Sequence, residues 1–172
     1  MPDKLQARSD RATSRALSFL ERNQGRDGSF IPLWFGNEGA EEEANPVYGT
    51  AQVLITLNEL VEGGISVPPQ LREGAASFLA KTQRRSGGWG GDGGSPESIE
   101  ETAVAIEALA HNPIYSANVA KGVEWLLQQI EGDKWMSPAP IGLYFARLWY
   151  YERLYPLIFS ASALGKLRSK NG

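Results

Sequence analysis

Residues 83–109 read QRRSGGWGGDGGSPESIEETAVAIEAL, a glycine-rich aromatic loop set directly before an alanine-rich amphipathic segment. A glycine-rich loop feeding a helix can cradle phosphate, but that use needs more than glycine. A P-loop requires Gly-x-x-x-x-Gly-Lys-[Ser/Thr], and the dinucleotide fingerprint follows a strand. Here the loop follows a helical pattern and has no lysine after its glycines. Gly90 to Gly94 therefore read as a flexible turn between helices.

The phrase also recurs. Ala16, Phe19, Leu20, Gln24, Gly28 and Phe30 fall in one register with Ala75, Phe78, Leu79, Gln83, Gly87 and Trp89. A third copy places Gly122, Trp125 and Leu126 in the same positions. Gln129 precedes Trp135 at the spacing by which Gln83 precedes Trp89. The repeats thus lie near 15–30, 74–89 and 121–135. The segments after them repeat as well: Thr50-Ala51 and Thr102-Ala103 open the same pattern of aliphatic residues. Self-similarity of this kind is the mark of stacked supersecondary units.

The period within each unit is helical. Leu71, Ala75, Phe78 and Leu79 share one face, as do Ile99, Thr102, Ala103 and Ile106. Asn45-Pro46 and Ser95-Pro96 read as N-caps followed by proline at the first helical position. The expected fold is all-α, an α/α half-toroid of three antiparallel helical hairpins. These pair 10–24 with 46–62, 69–83 with 96–111, and 115–130 with 141–167. Residues 1–9 form an N-terminal tail and 10–172 one domain, with no strand expected.

A glutamine at the end of a helix offers two donors and an acceptor. It can bond backbone groups at a neighbouring helix end, beneath the aromatic plate. Gln24 with Phe30, Gln83 with Trp89 and Gln129 with Trp135 are accordingly assigned as structural fasteners between helix pairs.

Composition narrows the chemistry. The 172 residues suffice for a core without staples, and the absence of cysteine removes disulfides and thiolate ligands. A net charge of −3 without a basic run gives no footprint for nucleic acid. The cluster Glu38, Glu41, Glu42 and Glu43 reads as a solvated loop. No apolar leader precedes the repeats, and 140–164 is broken by Arg147, Glu152 and Arg153, so the chain is expected to be cytoplasmic. The single histidine, His111, is expected at a helix end. No metal or cofactor is expected, because a metal site needs several convergent donors.

The repeated phrases resemble the QW repeat of squalene-hopene and oxidosqualene cyclases: a basic residue, a small residue, an aromatic, aliphatics, Gln, then Gly-x-Trp. Ile141 to Leu157, with Tyr155-Pro156-Leu157 and Ala163-Leu164-Gly165, resembles the C-terminal helix of the bacterial enzymes. The resemblance runs from about residue 10 to 167. It implies one side of an α/α barrel whose apolar hollow folds a polyprene such as squalene into fused rings. An aspartic acid of an Asp-x-Asp-Asp motif starts that reaction, and aromatic faces stabilise the cation. Carried over by position, Trp34, Tyr48, Tyr144 and Tyr151 would line the cavity. Extra residues, the acidic cluster among them, separate Trp34 from Tyr48, and Leu148 stands where the family has a tyrosine.

The acid itself is missing. Asp3, Asp10, Asp27, Asp92 and Asp133 are scattered, and no catalytic residue is assigned. Glu100-Glu101 replaces the family's usual Ser-Gln. A buried, pKa-raised glutamate there could substitute as acid, but an exposed or helix-capping role near the N-terminus is the expectation. One implied function is the C-terminal domain of a triterpene cyclase, with the acid supplied by another segment or chain. Another is a non-catalytic α/α module that binds an isoprenoid, a lipid or a protein. A protein prenyltransferase β-subunit shares the barrel, but its zinc ligands are not available here. Half a barrel would leave apolar surface to be covered by the rest of a cyclase, a second copy or a membrane surface.

Overall fold

A computed structural model describes residues 3–143 and 148–170. The fold is all-α: α1 spans Asp3–Asn23, α2 Pro46–Glu62, α3 Pro69–Thr82, α4 Ile99–Leu109, α5 Ser116–Glu131 and α6 Tyr155–Lys170. One small antiparallel sheet accompanies them, formed by β1 (Gly36–Asn37), β2 (Pro140–Leu143) and β3 (Leu148–Tyr151) in that spatial order. Gly36 lies opposite Gly142, and Gly142 in turn opposite Trp149.

The sheet corrects two expectations: that no strand forms, and that the last helix starts at 141. Pro138 and Pro140 cannot supply helical N–H groups, and Leu148-Trp149-Tyr150-Tyr151 is rich in residues that suit a pleated surface. Pro156 then falls in the first turn of α6, where its missing N–H costs nothing. At the other end α1 begins at Asp3, so most of the expected N-terminal tail is helix. Asn45 caps α2 as expected, its side chain accepting from the Tyr48 N–H. The cap of α4 is Ser98, not Ser95, and its hydroxyl accepts from the Glu101 N–H.

Helix α4 is the axis of the core. All of its residues from Ile99 to Leu109 are buried, and it packs against α2, α3, α5 and α6. A one-sided stripe is the rule for a surface helix, whereas a helix enclosed all round is a core helix. Its small residues, Ala103, Ala105 and Ala108, let four neighbours approach.

The glutamine joints form at two places with one geometry. Gln24 Nε2 donates to Gly28 O (3.1 Å) and across to Leu71 O of α3 (3.0 Å). Gln83 Nε2 donates to Gly87 O (2.7 Å) and across to Asn118 O of α5 (2.8 Å). Asn118 Nδ2 returns a bond to Gln83 Oε1 at 2.7 Å. The aromatic of each phrase is anchored alike: Phe30 N donates to Thr50 Oγ1 (2.8 Å) and Trp89 N to Thr102 Oγ1 (2.9 Å). Gly28 and Gly87 have φ of 95° and 112°, and a Cβ there would meet the carbonyls of Gly74 and Lys121 at 2.1 and 2.4 Å. Only glycine fits that approach.

The third phrase departs from this pattern. Helix α5 runs on to Glu131, so Gln129 lies within the helix rather than past its end. Among the described residues it makes no bond to another helix. It borders a cavity of about 290 Å³ with Trp125 and Lys134, and Trp135 is half-buried in the 3₁₀ turn Lys134–Met136.

The glycine loop is packed at its start and open toward its end, where Gly93 and Gly94 are exposed. Gly90 and Gly91 are buried, and Gly91 O accepts from Val47 N at 3.0 Å. Burial pushes the Asp92 carboxyl up, but the N–H groups of Ser95 and Gly94 outweigh it and hold the carboxyl below its usual range. The negative charge therefore belongs to the loop's own closure, which is the opposite of a phosphate cradle.

Candidate functional site: the head of the inner helices

The N-terminal ends of α2, α4 and α6 meet. Tyr48, in the first turn of α2, is half-buried, its ring centroid 5.1 Å from Phe35 and 6.3 Å from Phe159. Phe159 lies 5.2 Å from Tyr155. Four rings from three parts of the chain thus form one continuous run, at separations where tilted aromatic pairs attract. Burial, with Tyr155, Glu101 and Tyr150 nearby, pushes the Tyr48 phenol up to about 12. It stays neutral and presents a π-face at any ordinary pH.

One side of this run opens into a groove of about 710 Å³ between α1, residues 29–35 and α2. Phe19, Leu20, Ile31, Leu33, Phe35 and Tyr48 supply most of its apolar wall. That volume is in the range of small-molecule sites.

Behind the rings lies a sealed acidic pair. Glu100 and Glu101 are both fully buried. Glu101 Oε1 accepts from Asn45 Nδ2 (2.7 Å) and Asn37 Nδ2 (3.1 Å), while Oε2 meets the Ser98 hydroxyl. Glu100 Oε1 accepts from Ala139 N at 2.8 Å, and its Oε2 is buried without a partner among the described residues. Burial is the main cause that pushes the Glu100 carboxyl up, to about 7; Glu101 beside it adds to the rise and the Ala139 amide opposes it. Glu101 is also raised, by burial, against the bonds from Asn45 and Asn37. The expected exposed or helix-capping role is not what the pair shows: both are buried, and the cap is Ser98, whose hydroxyl meets the Glu101 carboxylate. Asn37, Asn45, Ser98 and Ala139 close over these carboxyls, which a helix-terminus pattern does not reveal.

Of the four residues carried over as cavity lining, three lie among the described residues, and only Tyr48 of these borders the groove. Tyr48 lines the groove, whereas Trp34 is 55 % exposed and outside its wall. Tyr151 is 60 % exposed on β3. Tyr144 lies outside the described residues. Phe35, Phe159 and Asn37 belong to the site without having been singled out, and Asn45 was read only as the cap of α2. Phe35 could have been found from its place beside Trp34, but Asn37 carries no local signal. His111 sits just after α4, its Nδ1 2.8 Å from Glu62 Oε1. Among the described residues no group of acids and histidine could hold a metal ion. Nor is any helix there long and apolar enough to cross a membrane.

Comparison with known proteins gives the same identity over nearly the whole chain. The family model described as squalene-hopene cyclase C-terminal domain matches residues 3–169. The squalene–hopene cyclase of Bradyrhizobium diazoefficiens is 30 % identical over 183 residues, covering 96 % of this chain and 26 % of that protein. The chain therefore spans about a quarter of the length of the curated relative it matches. With the helical fold and the two glutamine joints in place along that match, the chain belongs to the squalene-hopene cyclase C-terminal domain family.

Proposed function

We propose that this chain forms one wall of the apolar cavity of a squalene/hopene-type triterpene cyclase, and that the initiating acid comes from another segment or chain. The observation that carries the reading is the groove walled by Phe35, Tyr48, Ile31 and Leu33, in a chain of this family. An apolar polyprene fits such a wall, and neutral rings favour a passing carbocation by cation–π attraction. The chain's own carboxyls do not fit the role of acid. Glu100 and Glu101 are closed to solvent, and a carboxyl held near neutrality is a weak proton donor toward an alkene.

Radiolabelled squalene in mixed micelles tests the binding. The chain should retain squalene above micelles alone, and Tyr48→Ala should lower retention about tenfold, the equivalent of 1–2 kcal/mol. It should form no cyclised product by itself. Retention equal to the micelle blank sinks the polyprene reading. Any hopene-like product above a boiled-protein control sinks the assignment of the acid elsewhere.

The sealing of Glu100 and Glu101 also favours a second reading, a non-catalytic module that holds an isoprenoid or lipid. Retained squalene that stays uncyclised when an acid-bearing cyclase segment is added would select it.

A further inference from the structure

Glu101 Oε1 receives two amides, and they come from the two ends of one loop. Asn37 stands before residues 38–44 and Asn45 after them. This loop carries the acidic cluster. Glu38, Glu41 and Glu42 face solvent, and their mutual repulsion favours an open loop. Glu43 holds a φ of 57°, unusual for a residue with a side chain, while its carbonyl accepts from Asn37 N at 2.9 Å.

Both asparagines are committed at their other ends. Asn45 Oδ1 accepts from Tyr48 N at 3.0 Å and so fixes the first turn of α2. Asn37 pairs with Ile141 in the sheet, and its Oδ1 accepts from Gly39 N at 2.9 Å. Phe35 lies just before Asn37 and Tyr48 just after Asn45, with their rings 5.1 Å apart. One buried oxygen therefore joins the backbone stretch that carries one ring to the stretch that carries the other.

We infer that Glu101 is a positioning residue, which clamps the base of the 38–44 loop and thereby holds Phe35 and Tyr48 together as one wall of the groove. The chemistry asks for an acceptor oxygen toward two amides and a second polar atom toward Ser98. A glutamine meets both needs, with Oε1 to the asparagines and Nε2 to the Ser98 hydroxyl. A leucine leaves two buried amides without an acceptor, each a costly loss. The meaning for ligand binding rests on the proposed polyprene reading; the clamp itself does not.

The test compares wild type, Glu101→Gln, Glu101→Leu and Asn37→Ala by ring-to-ring NOEs between selectively labelled Phe35 and Tyr48, beside squalene retention. Wild type and Glu101→Gln should show the NOEs and equal retention. Glu101→Leu should keep a helical circular dichroism spectrum, lose the NOEs and retain about tenfold less squalene. Should Glu101→Leu not fold, Asn37→Ala decides, because it frees one limb and leaves the α2 cap; it too should lose the NOEs. Persisting NOEs in the folded Leu or Ala variant overturn the clamp, as does a Gln variant that fails like Leu. A wild type that shows the NOEs but retains no squalene keeps the clamp and ends the polyprene reading.

Discussion

Glu100 is enclosed with one carboxyl oxygen bonded to the Ala139 amide and the other without a partner among the described residues. Burial is the largest influence on it; Glu101 raises it further, and the Ala139 amide and its own backbone N–H lower it. Its carboxyl therefore prefers the proton when folded, near 7 against 4.5 for the free group. A group raised on folding adds stability fully below its unfolded value, and the contribution is lost as pH rises through the folded value. The window here is about pH 4.5 to 7, and the displacement is worth on the order of 3 kcal/mol. Asp27 and Asp92 are lowered and act in the opposite sense, at more acid pH. Glu100→Gln isolates the effect, since its amide oxygen can still accept from Ala139. Urea midpoints should be close for the two proteins near pH 4.5, with the Gln variant clearly more stable at pH 8. A gap that does not change with pH would show that folding leaves the Glu100 carboxyl at its ordinary pKa.

At the scale of elements, the joints are the feature that local sequence carries most fully. Gln83 joins its own turn to α5 through Gly87 O and Asn118 O. Gln83→Ala should lower stability by about 1–2 kcal/mol by leaving part-buried groups unpaired. Gly87→Ala should cost at least as much, since its Cβ would sit 2.4 Å from Lys121 O in a left-handed conformation. A melting temperature unchanged in both would remove the fastener. These joints were legible because glutamine, glycine and aromatic act within one turn and recur with each unit. Gln129 shows the limit: spacing to Trp135 was kept, but helix α5 extends past it and removes the geometry. Strands β2 and β3 were not legible because a strand needs a partner, and the pairing of Gly142 with Gly36 joins distant parts of the chain. The burial of Glu100 and Glu101 was hidden for the same reason. Adjacent carboxylates at a helix N-terminus suit the helix dipole in solvent, and only Asn37, Asn45 and Ala139 turn them inward.

For the whole molecule the question is what covers its apolar surface. Leu148 and Tyr151 of β3 are each 60 % exposed, and Leu154, Leu157 and Ile158 continue the exposure toward and along α6. Ile31, Leu33 and Trp34 stand out in the same way before β1. Strand β3 is also an edge of the sheet, and among the described residues nothing pairs its outer side. Scattered apolar side chains need no partner, but an exposed edge strand rich in aromatics invites pairing with another chain. We therefore propose that the surface around β3 is covered in solution, by the rest of a cyclase, by a second copy or by a lipid surface. For the chain alone in plain buffer the expected state is a dimer, since two-fold closure is the commonest way to satisfy one such face. Light scattering at micromolar concentration should give twice the monomer mass of 18.8 kDa, and Tyr150→Lys on β3 should shift it toward monomer. A wild-type monomer that binds no dye for exposed apolar surface would show that this face is stable in water and recruits nothing.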